Sequence, residues 1–487
     1  MRILYIDIDA LRPDHLGCYG YHRNTSPHID SIAEGGTRMN RYYCSDAPCL
    51  PSRTALYTGM FGIRSGVVGH GGTAADPRIE GAQRGFRDRL EHDALATRLQ
   101  EERGYHVAQI SPFGHRHAAR QFLAGFNEIH ATGKGGLESA EEVQPIVDKW
   151  LRDNASRDNW YLHINFWDPH TPYRVPRDYP CPFENDPLPE WLTGEVLEEH
   201  RRHPGPHGAR ELAMFTNEVN CHYPRDIGEL KTMEDLRDWM NGYDTAIRYV
   251  DDRIGEIIHS LKEAGVYEDT VIIITSDHGE NQGELGLYGE HGTADNITCH
   301  VPMIVKGPGV GAGKSDNGLH YQIDFAPTLA EWLDFEPPAS WDGTSYLPAL
   351  LNGEDAGRDY LVLSQCAHVC QRAVRFEDYL YIRTYHDGYH LFPREMLFNL
   401  VDDPHERNNL AGRNPELCNR ALRYLNEWHD RMMTRSNSDV DPLWTVIREG
   451  GPFHARGKLK KFAERLEATG RGDAVAELKL RHPYEFQ

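Results

Sequence analysis

The sequence predicts an α/β fold: a large, doubly wound, mostly parallel sheet flanked by helices, then a smaller C-terminal α+β subdomain of antiparallel sheet and helix. Strand-like apolar runs alternate with stretches of helical periodicity through most of the chain, the pattern of a layered α/β domain. Polar groups follow directly on three of those runs, at Asp9, at Asp168-Pro169-His170 and at Asp277-His278. Open α/β sheets bind ligands outside the carboxyl ends of their strands. Strand-like runs then return near residues 360–363 and 379–384 without intervening helical pattern.

Residues 3–9 read as a buried strand, and residues 11–20, turn-rich and polar, as a loop at the sheet's carboxyl edge. Residues 52–59 read as a short helix opening on Pro51, since proline suits a first helical turn. A helix over 94–103 closes on Gly104, and a strand follows over 106–111. Residues 160–167 form another strand. Residues 243–264 carry Ala246, Ile247, Val250, Ile254, Ile257, Ile258 and Leu261 at helical spacing, ending at Gly265. Residues 271–274 are a continuous β-branched run, typical of a parallel strand covered on both faces. A last helix of the main domain starts near Ile323, which places the domains at 1–360 and 361–487. Residues 177–235, rich in proline and histidine, read as an insertion bordering the active-site mouth. The tail beyond Ser436 is left unassigned.

Of 487 residues, 74 are acidic and 52 basic, a formal charge of −22. That excludes nucleic acid as a bulk partner, which needs a basic footprint. No apolar run approaches the roughly 20 residues of a membrane span, so no membrane partner is expected. Met1-Arg2 lead straight into the strand carrying Asp9, so no leader is read and a cytoplasmic location is expected. The nine cysteines are then expected as free thiols. Cys366 and Cys370, with His368 between them, read as packed positions rather than a zinc site, because no second pair lies near.

Acids at strand ends and a nucleophile at a helix start make a metal-assisted hydrolase site. The nucleophile position is Cys49-Leu50-Pro51-Ser52-Arg53. A helix N-terminus suits an anion there, and Arg53 lies one turn beyond Cys49, on the same face. With Asp277-His278-Gly279-Glu280 and Asp168-Pro169-His170-Thr171-Pro172, this run resembles the formylglycine-dependent sulfatases of the alkaline-phosphatase superfamily. The segment from Leu397 to Leu410 is similar to their C-terminal signature.

The resemblance implies that Cys49 is oxidised to formylglycine by a formylglycine-generating maturation enzyme. The aldehyde hydrate would attack sulfur with one oxygen and keep a second hydroxyl, through which sulfate is eliminated. It implies that Asp9, Asp277, His278 and the modified Cys49 hold a divalent ion, calcium first, with manganese or magnesium as alternatives. Arg53 would hold the hydrate and neutralise developing charge. His170 would protonate the leaving oxygen, a role for an imidazole titrating near neutrality. Where these sulfatases have two consecutive acids this chain has Asp9-Ala10, and Asp7, on the same strand face, is the substitute considered. Two family lysines are also missing. His115 or His117 stands near the place of the first and Glu290 or His291 near the second, with His117 and His291 preferred, His291 as the one group able to be cationic there; His70 in a glycine-rich loop is a further pocket residue. The expected reaction is hydrolysis of an organic sulfate ester, of a sulfated sugar or small glycan. The alternatives are a phosphonate monoester or phosphodiester hydrolase of the same superfamily, or a non-catalytic anion-binding relative.

Overall fold

The strand Arg2–Ile8 lies inside an eight-stranded sheet. By the period of two, Leu4, Ile6 and Ile8 enter one apolar core while Ile3 and Tyr5 enter the other. The strand pairs in parallel with Trp160–Phe166 on one side and Thr270–Thr275 on the other. Beyond Trp160–Phe166, His106–Ile110 and Glu128–His130 continue the parallel order. On the opposite flank Met303–Lys306 runs antiparallel, followed by Thr37–Met39 and an edge strand Lys314–Asp316. The computed structural model describes residues 1–77, 92–216, 219, 223, 225–436 and 438–487.

Helices cover both faces, so the central strands are apolar throughout. Pro27–Glu34, Ala140–Asn154 and Met233–Glu263 pack on one face, and Cys49–Thr58, Leu95–Arg103 and Phe325–Trp332 on the other. The long helix begins ten residues before the expected start at 243. Its first three residues belong to the stretch read as an insertion, and its start signal is a capping box: Thr232 Oγ1 accepts from the Asp235 amide at 3.1 Å and the Asp235 carboxylate accepts from Thr232 N at 2.8 Å. The second helix starts at Cys49 rather than Ser52. Pro51 sits inside its first turn, where no intrahelical N–H is needed. The helix stops at Gly59 (φ 67°), whose amide returns to Ala55 O at 2.8 Å.

The C-terminal sheet is an antiparallel meander of Tyr360–Gln365, Cys370–Phe376, Tyr379–His386 and Glu395–Asn399, covered by the helix Pro415–Arg435 through Leu425 and Trp428. Its first strand also pairs in parallel with Asp46–Ala47, two residues before Cys49. The C-terminal sheet is thereby tied to the segment that delivers the candidate nucleophile. Cys366 and Cys370 are packed with Val68 and Leu443, as expected. The tail folds into three helices, Pro442–Arg448, Leu459–Ala468 and Asp473–Arg481, with a small core around Tyr389, Phe462 and Leu478. Among the described residues, no helix is long and apolar enough to cross a membrane.

Candidate active site

The register of the three central strands sets the site. Ile8 pairs with Phe166 and Asp7 with Thr275, so Asp9, the Asp168–His170 segment and Asp277-His278 emerge side by side at one sheet edge. The helix Cys49–Thr58 points its N-terminus at this edge. Ser52 Oγ donates to the Asp277 carbonyl oxygen at 2.6 Å and pins the two elements together.

Arg53 is buried and carries three carboxylates. Its Nε donates to Asp7 Oδ2 at 2.8 Å, Nη1 pairs with Asp277 Oδ2, and Nη2 stands 3.1 Å from Asp9 Oδ2. Its planar fork suits that task where a lysine's point charge would not. Asp7 is the settled member: burial alone would raise its pKa, but Arg53 and His163 outweigh burial and lower it. Asp7 therefore stands behind the site as the anchor of Arg53, and it does not take the place of the missing second acid. Asp9 and Asp277 are unsettled. Burial pushes Asp9 up to about 6 and Asp277 well above the usual carboxylate range; Arg53 opposes this, and repulsion between the neighbouring acids adds to it.

Three buried acids around one guanidinium leave an excess of negative charge that a divalent cation would neutralise. Asp9 Oδ1 has no hydrogen-bond partner, and Oδ2 faces the Arg53 guanidinium. His278 donates Nδ1–H to the Gly279 carbonyl at 2.8 Å, which leaves its Nε2 lone pair facing the acids, 3.4 Å from Asp277 and 3.7 Å from Asp9. A backbone partner of this kind sets a metal-binding histidine's tautomer. Cys49 Sγ lies 3.0 Å from the same Nε2. One donor atom each from Asp9, Cys49, Asp277 and His278 lies within 4.8 Å of the others. These residues fit a divalent ion bound by carboxylate and imidazole. Gly279 is required beside them: a Cβ there would fall 2.1 Å from the Ile297 carbonyl oxygen. Burial, then Asp9 and Asp277, push the Cys49 thiol well above its ordinary value, so as a thiol it is protonated and a weak nucleophile at neutral pH.

Cys49 opens into a cavity of about 780 Å³. His170, His291, His117 and His70 all line it, so the sequence-predicted residues converge on one place. Their protonation differs from expectation. His170 is held well below an imidazole's ordinary value, by burial first and then by His278, Arg174 and Arg116. It is therefore neutral in the resting pocket and does not titrate near neutrality. His291, stacked on His278 with ring centroids 4.5 Å apart, is lowered as strongly by burial and its histidine neighbours, and His117 is lowered to about 3, chiefly by burial. His291 is thus not the pocket's cation. Among the described residues lining the cavity, the fixed cations are Arg116 and Arg225, and the Arg116 guanidinium lies over the Trp167 ring at 4.6 Å. Arg116 falls between His115 and His117, at the loop where the family lysine is missing, and supplies a charge there.

Other contributors also went unread. Glu280 accepts from Thr171 N and Tyr173 OH, both at 2.9 Å, and so fastens the His170 loop to the Asp277 segment. Its place in Asp277-His278-Gly279-Glu280 was the only sequence signal. His368 and His454 also line the cavity. They arrive from the C-terminal sheet and from the unassigned tail.

A family model described as Sulfatase matches residues 2–335. The multifunctional alkaline phosphatase superfamily protein PehA of Trinickia caryophylli is 28% identical over 496 residues, spanning 86% of this chain and 93% of its own. The N-acetylglucosamine-6-O-sulfatase of Bacteroides thetaiotaomicron is 21% identical over 519 residues, with 92% and 89% covered. The crystal structure of the phosphonate monoester hydrolase of Agrobacterium radiobacter superposes with a TM-score of 0.68 at 23% identity, over 88% of this chain and 95% of its own, and shares the α/β fold with its C-terminal sheet.

Proposed function

This chain belongs to the sulfatase family of hydrolases, and from that premise we propose that it hydrolyses an organic sulfate ester of a sugar or small glycan, with a formylglycine derived from Cys49 as nucleophile. The observation that carries this reading is the placement of Cys49. It sits at the first position of a helix aimed at Asp9, Asp277 and His278, at the floor of the cavity. A buried thiol held protonated by two carboxylates is ill suited to attack, whereas an oxygen nucleophile generated by oxidation at this position suits a hard-ion site.

Asp9, Asp277, His278 and an oxygen of the modified Cys49 would hold the divalent ion, calcium by its carboxylate donors, with manganese or magnesium admitted by the imidazole. When bound, the ion supplies charge stabilisation at the ester oxygens and lowers the pKa of the attacking hydroxyl. Arg53 keeps Asp9 and Asp277 in place. His170 donates Nδ1–H to the Thr171 carbonyl, which orients Nε2 toward the reacting edge, 4.0 Å from Asp9. From Nε2 it delivers a proton to the leaving oxygen, taking up that proton when an anionic substrate offsets its cationic neighbours. Phe453, exposed at the cavity wall, gives it aromatic surface for a sugar ring. The relative named N-acetylglucosamine-6-O-sulfatase supports the carbohydrate class.

A second reading, hydrolysis of phosphonate monoesters or phosphodiesters, is favoured by the single strand-end acid in Asp9-Ala10 and by the neutral imidazoles where lysines were expected. Steady-state turnover of a sulfate monoester, a phosphonate monoester and a phosphodiester with one common leaving group decides between them. The sulfate ester should have the highest kcat/KM, and Cys49→Ala should abolish it. A higher kcat/KM for either phosphorus ester would reverse the order. Binding of sulfate ester without turnover of any substrate, in protein carrying the modification, would leave the anion-binding reading standing.

A further inference from the structure

Three segments far apart in sequence bring histidines to one wall of the cavity. His70 comes from the glycine-rich loop, His368 from the turn between the first two strands of the C-terminal sheet, and His454 from the tail. One ring nitrogen of each lies within 4.8 Å of the other two. His70 Nδ1 and His454 Nε2 are 3.0 Å apart, and the His368 and His454 rings stack at 4.2 Å between centroids. The convergence is built in. The His454 amide donates to Ala367 O at 3.1 Å. Phe453 fills the space beside Gly71, where a Cβ would fall 2.2 Å from its ring, and Glu449 accepts from Thr73 N at 3.0 Å.

Behind the cluster lies Glu290, a buried carboxylate 3.4 Å from His368 Nδ1 and further supported by His390 Nε2 at 3.1 Å. With Nδ1 facing Glu290, His368 has Nε2 left for the cluster. A ligand histidine backed by a carboxylate is the usual arrangement at zinc. Two nitrogens on a tetrahedral zinc stand roughly 3.3 Å apart, close to the His70–His454 separation.

We propose that His70, His368 and His454 form a second metal centre, a three-histidine site for zinc or a similar borderline transition ion, with its fourth position open to the cavity. It is separate from the Asp9–Asp277–His278 set and does not depend on the chemistry of Cys49. Three imidazole nitrogens take zinc rather than calcium, so the two sites would hold different ions. The centre would supply the fixed positive charge that the missing lysines do not, and its ligand would be an anionic oxygen of the ester substrate.

The test is zinc content of the full-length protein, loaded with zinc, dialysed and analysed by elemental mass spectrometry. His70→Ala and His454→Ala should each remove about one equivalent per chain, while far-ultraviolet dichroism stays near the parent's and a calcium or manganese equivalent remains at the first site. Cobalt substituted for zinc should give the visible bands of a four-coordinate centre, lost in the same variants. Zinc content unchanged by either substitution would overturn the proposal. Should an alanine variant fail to fold, His454→Gln and the cobalt spectrum of the parent decide: a parent without four-coordinate bands refutes the centre. Because metal content is read without turnover, this outcome is independent of whether Cys49 is a formylglycine.

Discussion

Arg53 neutralises more charge than any other single residue of the site. Removing its guanidinium leaves Asp7, Asp9 and Asp277 buried together, and stripping one partner from a buried ionic cluster costs about 3–5 kcal/mol. Arg53→Met should therefore lower the urea midpoint markedly in metal-free protein. Arg53→Lys should rescue only part of that loss, because one ammonium cannot reach three carboxylates. Glu280→Ala tests positioning. It releases Thr171 N and Tyr173 OH, and should lower kcat by roughly 100-fold, as misplacing a reacting group by an ångström does, with the bound divalent ion retained. An accompanying loss of the ion would instead make Glu280 part of the metal site's support. At this scale the sequence is informative where chemistry is carried by a short motif: Cys49 and His170 line the cavity, and Asp9, Arg53, Asp277 and His278 gather against Cys49. It is silent where the role is made by a partner far along the chain, as for Asp7 under Arg53 or Glu280 under Thr171.

The elements hold the site at different depths. The central strands are buried on both faces, and trimming Ile6 or Ile274 to alanine should cost about 2–5 kcal/mol by the usual penalty for a core cavity. The tail is held more locally. Asp387 receives Arg481 Nη1 and His482 Nε2, both at 2.6 Å. Burial would raise Asp387, but His482 and then Arg481 outweigh it and hold it below the ordinary carboxylate value. A depressed carboxylate stabilises fully above its unfolded pKa of ~3.9 and loses that contribution as pH falls through the folded value. Amide exchange over residues 473–481 should thus accelerate below about pH 4 ahead of exchange in the central strands; equal acceleration in both would deny the tail this local anchor. The tail was illegible in sequence because its helices bury small faces against Tyr389 and Phe215, and no motif marks that docking. The long helix was found but started late, since Leu236, Trp239 and Met240 follow a capping box within a stretch dominated by polar residues.

For the whole molecule, the α/β architecture was legible because parallel strands buried on both faces leave continuous apolar runs, and because ligand residues at their carboxyl ends punctuate them. The link from the C-terminal sheet back to Asp46–Ala47 was not, since a two-residue strand has no pattern of its own. The site joins elements from across the chain, so its ion should stabilise the whole. Chelation should lower Tm by roughly a few degrees and calcium or manganese should restore it, as binding to the native state alone requires. No change would mean that Asp9 and Asp277 hold no ion in the resting protein. The central claim rests on Cys49, and the most direct measurement is the mass of the tryptic peptide Tyr42–Arg53 from protein co-expressed with a formylglycine-generating enzyme. An aldehyde or its hydrate at Cys49 is the predicted result. An unmodified thiol in folded, co-expressed protein would contradict the account.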